Sequence, residues 1–161
     1  MKPLDARIEQ LEKRLQTLED QCAIYQILAC YGISADGGSS ARAADLWTKE
    51  GVYDLHDQIM AGQDDIIEEL EGAWHQGLIL NGCAHVMGMP FIAIDGDGAT
   101  ATSQSRLYRR EPDGSYRVLS CSANRWEFIR TTQGWRCSKR TSRKLDGTAS
   151  ARELLAQGVR A

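Results

Sequence analysis

The second half of the chain constrains the fold most. Four runs rich in β-branched and aromatic residues, at about 85–94, 99–110, 116–130 and 133–144, follow one another directly. Their connections are turn sequences: Asp95-Gly96-Asp97-Gly98, Pro112-Asp113-Gly114 and Thr132-Gln133-Gly134. Such connections make a meander of antiparallel strands. The first half reads mainly as helices. Helices first and a long antiparallel sheet afterwards predict an α+β fold with the helices covering one face of the sheet. With no repeat, linker or low-complexity tract, residues 1–161 read as one domain with a helical extension at 1–18 and a tail at 148–161.

The first 35 residues carry a helical period. Leu4, Ile8, Leu11, Leu15, Leu18, Cys22 and Tyr25 alternate by four and three, a narrow seam of about three heptads flanked by charges. That stripe predicts packing against another subunit of a homo-oligomer, a dimer or trimer; the alternative is folding back on its own sheet. From Ala23 the stripe widens through Ile24, Ile27, Leu28 and Tyr31 into that of a core helix, which Gly37 and Gly38 end. A short helix at about 40–48, a strand at 51–55 and a helix at 63–74 follow. The last of these should turn Ile66, Ile67, Leu70 and Trp74 inward. Ala149 to Gln157 is expected either to add a short terminal helix or to fray.

Composition narrows the partners. The net charge of −3 gives a phosphate backbone no general attraction. The local cluster Lys139-Arg140-Thr141-Ser142-Arg143-Lys144 reads as a solvated strand face with one inward arginine, so no nucleic acid is expected. No apolar run approaches the roughly 18 residues of a membrane span. Five cysteines without a close pair, behind a charged helical N-terminus, read as reduced thiols in the cytoplasm. Asp95-Gly96-Asp97-Gly98 is no calcium loop, because Ala99 and Arg106 stand where ligands are needed.

Two residues carry the chemistry. Asp36 falls at the end of the core helix, where the dipole makes a carboxylate uncomfortable without a cation. His85 opens His85-Val86-Met87-Gly88-Met89-Pro90 and is one of three histidines. If the fold brings them together, Asp36 orients a neutral imidazole that can take a proton from carbon beside a carbonyl. Tyr31 would donate to the developing oxygen, and Arg143 or Asn124 would hold a carbonyl or carboxylate. Tyr31 and Asp36 lie about 140° apart on a helix, so a shared pocket requires the helix to break before Asp36. Trp47, Tyr53, Trp74, Met87, Leu107, Asn124 and Trp126 are the expected pocket lining. Polar Ser122 and Asn124 alternate with Trp126 and Phe128 on one strand face, which points to a cavity. No cofactor is needed, and the remaining histidines, His56 and His75, lack the spacing of a metal site.

In order along the chain, Asp20-Gln21-Cys22-Ala23-Ile24, Tyr31, Asp36-Gly37, Trp47-Thr48-Lys49-Glu50-Gly51-Val52-Tyr53, Cys83-Ala84-His85-Val86-Met87-Gly88-Met89-Pro90, Ala123-Asn124-Arg125-Trp126-Glu127 and Gly134-Trp135-Arg136 resemble the SnoaL-like proteins. These belong to the nuclear transport factor 2-like superfamily, and the likeness spans roughly residues 18–147. It implies a cystatin-like fold, a cone-shaped, mainly antiparallel sheet whose concave face is covered by the N-terminal helices. Within that superfamily the chain is most similar to the group of scytalone dehydratase and bile acid 7α-dehydratase, whose Tyr, Asp and His are matched by Tyr31, Asp36 and His85, and whose late arginine is matched by Arg143. A further acidic residue of the bile acid enzyme has no match in Ser105-Arg106-Leu107-Tyr108. The resemblance implies a cofactor-independent lyase or isomerase acting on a small apolar cyclic molecule. The alternatives are a non-catalytic ligand-binding or assembly module, and a small subunit like the β subunit of ring-hydroxylating dioxygenases.

Overall fold

A computed structural model describes residues 3–159. The two residues at each end, which fall within the expected extension and tail, lie outside the described residues. Helix α1 (Leu4–Asp36) is unbroken, and α2 (Ser40–Ala44) leads into strand β1 (Trp47–Asp54) and its hairpin partner β2 (Ile59–Ala61). Helices α3 (Gln63–Glu71) and α4 (Ala73–Asn81) precede β3 (Cys83–Met87) and β4 (Phe91–Asp95). Strands β5 (Gly98–Arg110), β6 (Tyr116–Thr131) and β7 (Gly134–Lys144) form the meander, and α5 (Ala149–Gly158) ends the described chain. No described helix is long and apolar enough to cross a membrane.

The seven strands make one curved, unclosed sheet in the order β2-β1-β7-β6-β5-β3, with β4 also paired to β5. All pairings are antiparallel except β1 with β7. The core lies between this sheet and the helices before it: Ile24, Leu28 and Tyr31 of α1 meet Trp47, Tyr53, Trp126 and Phe128. Each such large side chain is worth ~1.5–3 kcal/mol on burial, enough to hold the second half of α1 on the sheet. Helix α5 packs against β5, β6 and β7, with Gly158 so close to Thr102 that a side chain there would collide. Ala101 is paired with Trp126 on the core side, so Thr102, its neighbour, faces the other way.

Four local expectations change. Trp47 begins β1 instead of closing a helix, and Gly51 makes room there, since a Cβ would strike the Cys137 carbonyl and the Trp47 ring. The expected helix at 63–74 is two helices, broken where Gly72 turns extended (ψ 150°). That break rotates Trp74 outward, leaving it 61% exposed instead of buried. The expected strand at 85–94 is two strands. Gly88 lies against the Gln104 carbonyl and donates its N–H to it at 2.7 Å, whereas Pro90 has no N–H for a ladder. Finally, α1 runs through Asp36 without the anticipated break.

Candidate active site

Asp36 and His85 meet where the end of α1 crosses β3. Gly32 permits the crossing, because any Cβ there would collide with the His85 carbonyl oxygen. One Asp36 oxygen lies 2.6 Å from His85 Nδ1, and the other accepts the His85 backbone N–H at 2.7 Å. Cys83 donates its thiol at 3.4 Å. Burial pushes the Asp36 carboxyl up, but the side-chain and backbone bonds from His85 outweigh it and hold the pKa below the usual value. An ionised Asp36 accepts the Nδ1 proton, which leaves the Nε2 lone pair of a neutral ring available as a base. Burial and the adjacent Asp36 push the Cys83 thiol up to about 12, so it is a poor nucleophile.

The unbroken helix separates Tyr31 from Asp36. Asp36 buttresses His85 from behind, while the Tyr31 ring lies edge-on to the imidazole with centroids 6.5 Å apart. Tyr31 also contacts Trp47, Tyr53 and Trp126 at 5.5–6.3 Å. Tyr53 reaches the cavity wall; burial drives its phenol well above the ordinary value, opposed by Arg140 and reinforced by Tyr31. The phenol therefore stays a proton donor.

The cavity beside His85 has a volume of about 170 Å³. A closed apolar cavity of about 150 Å³ accepts benzene, so the space beside His85 matches a single ring in volume. Of the expected lining, Tyr53, Trp74, Met87 and Leu107 line it, with Trp74 at the outer rim. Trp47 and Trp126 are wholly buried behind that wall. Asn124 is also buried, bonded to Ser105 at 2.9 Å and to Arg140 at 2.8 and 3.1 Å.

Arg143 is elsewhere. Its guanidinium grips Asp54 with two bonds of 2.8 Å and faces a separate depression with His56 and Asp146. Arg140 is the inward arginine. Strict alternation from Trp135 and Cys137 would carry Lys139, Thr141 and Arg143 inward. A bulge intervenes: Phe128 pairs with Cys137 but Glu127 with Lys139, so Ser138 is an extra residue and the faces exchange. No turn residue or glycine marks it, so nothing in the sequence signals the switch.

Sequence reasoning also missed His75. It is buried, its ring 5.5 Å from that of His85, with Nδ1 on the Leu70 carbonyl at 3.0 Å. Burial, then the neighbouring His85, lowers its pKa below the usual value. Position 75 gives no hint of this, because it depends on the helix break at Gly72.

Asp36, Cys83 and His85 offer three potential metal ligands within 4.8 Å of one another. A zinc ion needs each donor about 2.0–2.3 Å away, which spreads tetrahedral donors beyond ~3 Å. The 2.6 Å Asp36–His85 approach and the protonated thiol fit a hydrogen-bonded group better than a metal centre.

A helix-covered, curved sheet holding a small polar-floored cavity defines the nuclear transport factor 2-like class of protein. The sequence matches the SnoaL-like domain over residues 16–141, and the chain belongs to that family. A nuclear transport factor 2-like protein with a cystatin-like fold from Novosphingobium aromaticivorans is similar over 96% of this chain and 98% of its own, at 36% identity and TM-score 0.90. A putative aromatic ring hydroxylase from the same organism is 21% identical, with 80% and 90% covered and a TM-score of 0.65. A putative calcium/calmodulin-dependent protein kinase II association domain from Xanthomonas campestris is 12% identical, with 78% and 88% covered and a TM-score of 0.62. These last two share the fold alone. No curated protein matches the sequence.

Proposed function

We propose that the protein is a cofactor-independent lyase or isomerase of the dehydratase type, acting on a one-ring substrate. The observation that carries this reading is the 2.6 Å Asp36–His85 bond at the wall of a partly enclosed cavity. His85 Nε2 removes a proton from carbon beside a carbonyl, while Asp36 holds the tautomer and stabilises the imidazolium. The Tyr53 phenol donates to the enolate oxygen as charge develops there. With a hydroxyl on the β carbon, the enolate collapses, the C–O bond breaks, and the imidazolium returns its proton to the departing hydroxide. One C–H and one C–O bond are lost, one C=C bond forms and water leaves. Without that hydroxyl, returning the proton to another carbon moves a double bond.

The small-subunit alternative expects no such pair facing a cavity. A pure binding role would not need an ionised, three-bonded Asp36 behind the imidazole. Incubation with 3-hydroxycyclohexanone and related one-ring β-hydroxy ketones, with and without a ring carboxylate, in D₂O, followed by proton NMR, tests the proposal. Exchange at the carbon beside the carbonyl, with formation of the enone, is expected and should vanish in His85→Ala. A folded wild type that exchanges none of the panel would remove the support for proton abstraction.

A further inference from the structure

We infer that the substrate carries a carboxylate, and that Arg140 is its seat. This deepens the proposal above by naming the substrate class for the same cavity. Arg140 lines the cavity yet is only 3% exposed. Its Nε and Nη2 share the neutral Asn124 oxygen, and Nη1 is buried without a partner. The rings of Tyr31, Tyr53 and Trp126 lie 4.3–4.5 Å from its central carbon. These faces soften the burial of a cation but do not neutralise it. A buried guanidinium ordinarily has an acidic partner, and among the described residues Arg140 has none. Among the described residues, the cavity lining holds Arg106, Arg140 and Lys144 and no Asp or Glu. Ser105, Ser120, Ser122 and Ser142 complete a floor made for an anion. Arg140 and His85 both contact the Tyr31 ring, so a carboxylate on Arg140 places the attached ring toward the base.

Titration of benzoate against benzamide by calorimetry, with the full-length protein, tests this without turnover. Benzoate should bind at least ~10-fold more tightly, the worth of a charge-assisted pair. Arg140→Lys, which keeps the charge but not the fork, should lose most of that preference, and His85→Gln should keep it. Equal affinities in the wild type, or undiminished preference in a folded Arg140→Lys, would overturn the inference. Should Arg140→Lys fail to fold, Arg106→Gln and Lys144→Gln decide: an undiminished preference in both leaves Arg140 as the seat, and its loss in either would overturn the inference. Preference for benzoate without proton exchange on any carbonyl substrate would retain the anion site and sink the lyase.

A separate observation concerns α1. Residues 3–19 are exposed throughout, and Leu4, Ile8, Leu11, Leu15 and Leu18 are 44–68% exposed. The seam has not folded back on the sheet. It lies on the far side of α1 from Asp20, Ile24, Leu28 and Tyr31, which pack on the body. With Ile8, Leu15 and Cys22 at a positions and Leu4, Leu11 and Leu18 at d, the e positions are Asp5, Glu12 and Glu19, and the g positions include Arg7 and Arg14. Parallel pairing sets Arg7 against Glu12 and Arg14 against Glu19 across the seam, whereas antiparallel pairing sets like charges together. The geometry points to a second copy of this chain as the occupant, in a parallel two-stranded coiled coil.

Sedimentation of the full chain should give a dimer, and Leu11→Glu with Leu15→Glu a folded monomer. The pairs Arg7→Glu with Arg14→Glu, and Glu12→Arg with Glu19→Arg, should each dissociate alone and re-form a dimer when mixed. Mild oxidation should join the exposed Cys22 thiols across the parallel seam and fail in Cys22→Ser. A monomeric wild type, or a dimer that neither cross-links at Cys22 nor responds to the charge reversals, would overturn it.

Discussion

Asp36 is placed where a helix dipole opposes its charge, and three hydrogen bonds on its carboxylate reverse that penalty. Its lowered pKa keeps it ionised across the neutral range, so its effect on turnover is orientation and charge stabilisation. Asp36→Asn should leave ligand affinity within a few-fold and lower turnover by ~10²–10⁴-fold, as loss of general-base assistance does; steady-state kinetics beside calorimetry separates the two. The sequence makes both members of this pair legible as candidates, because one sits at a helix end and the other is a rare histidine. It cannot make their contact legible, since that depends on Gly32 admitting β3. Arg143 is the opposite case. Its pairing with Asp54 predicts that Arg143→Ala costs about 1–3 kcal/mol in denaturant unfolding, as for a part-buried, doubly bonded ion pair, while the benzoate preference is unchanged.

Elements decide which of these residues face the cavity. The antiparallel meander and its three turns follow from alternation and turn chemistry, and the structure agrees with them. The bulge at Ser138 does not follow, and it exchanges Arg143 for Arg140 on the inner face. A single inserted residue inverts every later side chain on its strand, so a sequence reading correct about the strand is wrong about its floor. The crossing of α1 over β3 is equally exacting. Gly32→Ala would press a methyl into the His85 carbonyl and force helix and strand apart. The expected cost is ~1–3 kcal/mol, typical of overpacking, with a loss of turnover larger than that destabilisation explains. Thermal unfolding and proton-exchange rates on the same preparation test the pair of effects. A Gly32→Ala protein of wild-type activity would mean that the crossing does not set the dyad.

At the scale of the whole molecule, one buried carboxylate ties the chain's beginning to its end. Asp20 of α1 accepts two bonds from Arg130 at 2.7 and 2.9 Å and one from the Trp135 indole at 3.0 Å, and Gln16 adds a fourth at 3.0 Å. Arg130 also reaches Asp97 at 3.0 Å, so α1, the β4–β5 turn, β6 and β7 share one polar clasp beside the apolar core. The bond from Arg130, opposed by burial and reinforced by Trp135 and Gln16, lowers the Asp20 pKa from 3.8 to about 2. A folded-state value below the unfolded one means that the clasp is at full strength above the unfolded value. It is lost as acid carries the pH from about 3.8 down through about 2. The shift corresponds to about 2 kcal/mol, a sizeable share of a domain's ~5–15 kcal/mol stability. Asp20→Asn should therefore be less stable than wild type by about 2–3 kcal/mol at neutral pH, because it leaves Arg130 and the buried indole poorly matched. The gap should close toward zero near pH ~2, where the wild-type carboxyl is itself becoming protonated. Urea unfolding of both proteins across that range, at one fixed concentration, gives the difference directly and cancels the other acidic groups. A gap that stays constant with pH would show that Asp20 acts by packing and hydrogen bonding, without its charge.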